Sequence, residues 1–174
     1  EMPPMGGGRE VCPSLLTAGV DRPSVLYVSF TQQARDCIEQ WDASGESARN
    51  LGVITVGDAS ATVDRSDVIT EAVSTPSDLT GLGIQIGKFL SEWDAPVVVC
   101  FDSLTSMLQY VDFETAYEFL HAITGQVHAA GARAHFHIDP EAHDETEVAG
   151  ITSLFDASVS LAEETTVRTR DIIE

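Results

Sequence analysis

Residues 95–104 read APVVVCFDSL. The apolar run from Val97 to Phe101 is too short to span a membrane and too unbroken for a strand with one wet face. It fits a strand covered on both faces, in the middle of a parallel sheet. The run stops at Asp102 and Ser103, and an open α/β sheet keeps its ligand crevice at the carboxyl ends of its strands. A carboxylate there commonly holds Mg2+ against a nucleotide phosphate. A strand-end Asp can equally cap the turn that follows it. The stretch by itself leaves both readings open.

Outward from this strand, helical and strand patterns alternate. Upstream, apolar positions at Leu82, Ile86, Phe89, Leu90 and Trp93 lie on one face of a helix predicted over Leu79–Trp93. Downstream, Ala116, Phe119, Leu120, Ile123 and Val127 do the same for Phe113–Ala130, which Gly131 ends. Further strands are predicted at Val25–Phe30, Val53–Val56, Ala134–Ile138, Ala157–Leu161 and Val167–Ile173. Further helices are predicted at Arg9–Ala18, Gln32–Trp41 and Glu145–Leu154, the first admitting Pro13 in its opening turn. The polar stretch Gly57–Ser77 reads as a long loop with one short element at Asp67–Val73. The expectation is an α/β fold, one domain over residues 1–174: a mostly parallel sheet with helices on both faces and a C-terminal β-hairpin. Because the sequence opens at Glu1-Met2-Pro3-Pro4, already in a turn, a leading strand ahead of it is also expected.

Composition narrows the setting. There are 28 acidic residues against 9 basic ones, a formal net charge of -19, and Lys88 is the single lysine. The acids are scattered along the chain, so an acidic disordered tail does not explain them. A surface so acidic and so poor in Lys fits a salt-saturated cytoplasm, where screening relieves self-repulsion. It excludes nonspecific binding to nucleic acid or anionic lipid, both of which need a basic patch. No segment has the length and apolarity of a membrane span. Cys12, Cys37 and Cys100 stand at no metal-ligand spacing and read as reduced core thiols.

The Gly-rich turn is the next candidate. A phosphate-binding loop, G-x-x-x-x-G-K-[ST], cradles phosphates on backbone N–H groups, reaches them with Lys and places a hydroxyl on Mg2+. Laid on Pro3–Glu10 (PPMGGGRE), the second Gly falls on Gly8, but Arg9 replaces Lys and Glu10 replaces the hydroxyl. Gly6, Gly7 and Gly8 before a helix can still form an anion nest, and Arg9 keeps a positive charge. The Glu10 carboxylate repels phosphate. The replacements favour a tight helix-start turn over a high-affinity ATP cradle.

Together, VLYVSF-TQQ, VVVCFDSLTSML, the helix and Gly131-Ala132-Arg133 after it, and LFDASVSL resemble the RecA superfamily, closest to its KaiC-like branch. The resemblance implies a RecA-like sheet. It also implies one or two Glu at the end of the Val25 strand that activate the attacking water, where this chain has Thr31 and Gln32. Neither side chain accepts a proton as a general base must. With Lys, metal-binding hydroxyl and Glu all replaced and Asp102 kept, the expectation is a non-catalytic module, a pseudo-ATPase of a halophile. It would regulate or scaffold through protein partners or its own oligomer, with no cofactor. The alternative is a divergent ATPase using Arg9, Asp102 and Mg2+-ATP, arranged in a ring. In that branch, basic residues of the terminal hairpin reach the next subunit's nucleotide, which would give Arg168 and Arg170 a role; otherwise they are surface partners of the many acids.

His135, His137 and Asp139 alternate along a strand, and His143 follows. Imidazole and carboxylate suit Zn or Mn. The resemblance makes this strand tip a nucleotide sensor instead, so no metal is expected.

Overall fold

The computed structural model describes residues 7–57, 63–94, 96–161 and 165–169. Five strands form one all-parallel sheet in the order β3-β2-β1-β4-β5: β1 (Ser24–Ser29), β2 (Asn50–Val56), β3 (Val68–Val73), β4 (Val97–Asp102) and β5 (Arg133–Phe136). All six residues of β4 are buried, as are all six of β1. These are the two central strands, and their unbroken apolar runs reflect cover on both faces.

The pleat divides the core in two. Val25, Tyr27, Val53, Val98 and Cys100 face one way, onto α1 (Gly7–Thr17) and α2 (Ala34–Ser44). Leu26, Val28, Ile54, Val97, Val99 and Phe101 face the other, onto α3 (Leu79–Glu92) and α5 (Phe113–Ala129). Period-2 alternation of strand side chains makes both faces apolar. Gly52 is required where α3 crosses β2, because a Cβ there would stand 2.8 Å from Phe89 and from Trp93. Helix starts carry side-chain caps: Asp78 accepts from the Gly81 N–H and Asp112 from the Thr115 N–H.

The short element read at Asp67–Val73 is a full edge strand, β3, paired along its length with β2. One detail differs from the sequence reading. The first helix begins at Gly7, which puts Pro13 in its interior at the loss of one backbone hydrogen bond. Burial of Cys12 and Leu16 against the sheet holds that helix in place. The hairpin of β6 (Ala157–Leu161) and β7 (Thr165–Thr169) is antiparallel and forms its own two-stranded sheet. A cavity of about 170 Å³ lies between β5 and β6, lined by Cys12, His135, His137, Ile151 and Phe155 among others. Among the described residues no helix is long and apolar enough to cross a membrane.

Candidate functional site

The strand order changes direction between β1 and β4: from β1 the chain winds out to β2 and β3, and from β4 to β5. Loops diverge at such a switch point and leave a crevice at the carboxyl ends of the strands. Register pairs Ser29 with Asp102 there, so the segments that follow both strands meet.

Asp102 is buried, 8 % exposed. Its Oδ2 accepts a hydrogen bond from the Thr31 hydroxyl at 3.0 Å, and its carbonyl accepts from the Phe30 N–H at 2.7 Å. Ser29 Oγ accepts from the N–H groups of Thr31 (3.3 Å) and Gln32 (2.8 Å), which folds the chain back over the crevice. Capping of the next turn falls to Ser103, whose Oγ accepts from the Ser106 N–H at the start of α4 (Leu104–Met107). The Asp102–Ser103 peptide is cis. Among the described residues a cavity of about 10 Å³ lies beneath the strand tips, among Ser29, Gln32, Cys37, Asp102 and His137. That is room for a single water. Thr31 thus stands beside Asp102, and Gln32 lines the same small cavity.

The sequence candidates separate in space. The backbone of Gly7 to Glu10 forms the first turns of α1, and Gly6 and Arg170 lie outside the described residues. Arg168 is exposed on β7 opposite Ser158. His143 Nε2 is 3.0 Å from Thr105 Oγ1, and Asp139 caps a short 3-10 helix, Pro140–Ala142. His137 parts company with both. The strand ends at Phe136, yet the His137 N–H still bonds to the Phe101 carbonyl, and its ring turns inward.

What the sequence did not show is the company His137 keeps. Its Nε2 lies 3.3 Å from Cys12 Sγ and 3.3 Å from Cys100 Sγ, and the two sulfurs are 3.3 Å apart. All three residues are buried and their donor atoms converge. All three cysteines are free and buried, as expected of reduced core thiols, and Cys12 and Cys100 also meet His137. The register Cys100↔His135 places His137, two residues on, at the same face as Cys100. The hydrogen bond from Cys100 holds the Cys12 thiol well below its ordinary range, against the opposing effect of burial, and His135 and His137 add to the lowering. The same bond, with burial, pushes the Cys100 thiol up.

Residues 3–161 match a family described as a family of unknown function, DUF7504. No curated protein matches the chain. Among solved structures, the chain is similar to the Pyrococcus horikoshii OT3 protein of project PH0250, with a TM-score of 0.62 and 11% identity. The similarity covers 95% of this chain and 83% of that one, and at this identity it speaks for the fold alone.

Proposed function

We propose that this chain, which belongs to the family of unknown function DUF7504, is a non-catalytic module of RecA/KaiC-like descent. It acts by protein contacts, as a regulator or scaffold in a salt-rich cytoplasm. The observation that carries the reading is the engagement of Asp102: the carboxylate that would hold Mg2+ is buried and already accepts from the Thr31 hydroxyl at 3.0 Å. A metal bound there would have to displace that hydroxyl. Arg9 and Glu10 in the Gly-rich segment point the same way, since one loses the point charge of Lys and the other adds a charge that phosphate avoids. Thr31 and Gln32 supply no proton acceptor for the attacking water. The acidic surface suits partners with complementary basic patches or partners met at high salt.

The test is equilibrium binding of a fluorescent ATP analogue in multimolar KCl, with and without Mg2+. The reading expects no saturable, Mg2+-dependent binding. Binding that needs Mg2+ and is lost in Asp102→Asn would move the chain to the alternative, a divergent ATPase built on Arg9 and Asp102.

A further inference from the structure

We propose that Cys12, Cys100 and His137 are the ligands of a zinc site. Two thiolates and one imidazole Nε2 bind the ion, and the fourth position is supplied from the adjoining cavity by a water or by His135. The inference is independent of whether nucleotide binds.

The first argument is convergence. The three donors come from α1, β4 and the segment after β5, 88 and 125 residues from Cys12 in sequence, and meet at 3.3 Å on every side. Cys37, also buried, stays outside the cluster. The second is geometry. An ion about 2.3 Å from each atom of such a triangle would stand roughly 1.3 Å off its plane, with ligand angles near 90°. Opening the triangle by about 0.4 Å brings those angles to tetrahedral. Side-chain rotation of that size requires no backbone movement.

The third argument is cost. Without an ion the cluster buries two thiols and an imidazole whose Nδ1 has no hydrogen-bond partner among the described residues. With zinc on Nε2 the Nδ1 must carry the proton. It can then donate to a water in the cavity of about 170 Å³ that His137 also lines. The fourth is charge. Zn2+ with two thiolates and a neutral imidazole sums to zero, which a buried site tolerates, while copper(I) with the same donors leaves a negative charge. Entry is available, because the cavity is lined by Cys12, His135 and His137 and reaches the ligands from the hairpin side. His137 was singled out from the sequence with Asp139 and His143; in the fold its companions are instead the two cysteines.

The experiment titrates the reduced, metal-stripped full chain with Co2+ and then Zn2+ in molar KCl. One Co2+ per chain should bind with the near-ultraviolet band of thiolate-to-cobalt charge transfer and the visible bands of a tetrahedral site. Zinc should displace it and raise the thermal midpoint. Cys12→Ser and Cys100→Ser should each weaken binding by more than about 100-fold, beyond what loss of an outer-shell partner alone costs. Cys37→Ser should bind as the unaltered chain does. A folded wild-type chain without the thiolate band overturns the proposal whatever the variants do. So does binding that survives Cys12→Ser or Cys100→Ser unchanged, and so does binding confined to copper(I).

Discussion

Thr31→Val keeps the size of the side chain and removes the hydroxyl that donates to Asp102 Oδ2 at 3.0 Å. A hydrogen bond to a charged group contributes about 1.5–3 kcal/mol. Thr31 itself is exposed, so water can partly replace its hydroxyl, and the expected loss falls to about 1–2 kcal/mol. Asp102→Asn retains shape but weakens the acceptor, and should cost about the same. Because both substitutions break one bond, the double variant should lose less than the sum, with a coupling energy near 1 kcal/mol. Thr31→Ser, which keeps the hydroxyl, should lose little. Urea unfolding at fixed molar KCl, followed by circular dichroism, measures all four. Additive losses, with a coupling under about 0.3 kcal/mol, would show that Thr31 does not hold Asp102. If Asp102→Asn instead stabilises the chain, the carboxylate is held at a cost for a ligand, as catalytic groups often are, and the closed-site reasoning fails.

Other consequences follow from charge, core and caps. With a net charge of -19, the thermal midpoint should rise steeply from dilute buffer to molar KCl, and equal midpoints would contradict the self-repulsion argument. Val99 is 1% exposed in the middle strand, so Val99→Asp buries an unpaired carboxylate at a cost of several kcal/mol; expression should yield no folded chain, and a folded variant would deny β4 its central place. Asp112 caps α5, and its bonds to Thr115 lower its carboxyl below the usual 3.8. A lowered folded-state value adds stability above about pH 3.8 that is lost as pH falls through that lowered value. Asp112→Ala should therefore melt earlier than wild type at neutral pH, with the gap closing in acid, while Asp112→Asn keeps most of the cap.

The central strands were legible because burial on both faces leaves a continuous apolar run, as in VVVCF and VLYV. The edge strand β3 was legible only as a short element at Asp67–Val73, not as a strand. Val68 and Val73 are buried, but Ile69 is 48% exposed and Glu71 lies between them, so VITEAV has neither the alternation nor the run that marks a strand. The four-residue helix α4 is too short to show a period. Of the candidate site, Asp102 was marked by its strand end, while Thr31 and Gln32 were singled out by the resemblance; parallel strands bring their carboxyl ends together. The grouping of His137 with Cys12 and Cys100 depends on which face α1 covers and on the β4–β5 register, neither of which is written in local spacing. Sequence pattern instead tied His137 to Asp139 and His143, which the turn after Phe136 sends elsewhere.

The claim at the centre of this account is that the site cannot turn over ATP. The decisive measurement is phosphate release by the purified chain in multimolar KCl with ATP and Mg2+. Loss of a general base alone commonly costs 10²–10⁴-fold, roughly 3–5 kcal/mol of barrier, before any loss of binding. The account predicts no release above the protein-free background. It also predicts that Arg9→Lys, Glu10→Thr and Thr31→Glu combined recover nucleotide binding before turnover. Hydrolysis by the unaltered chain that Asp102→Asn abolishes would contradict it.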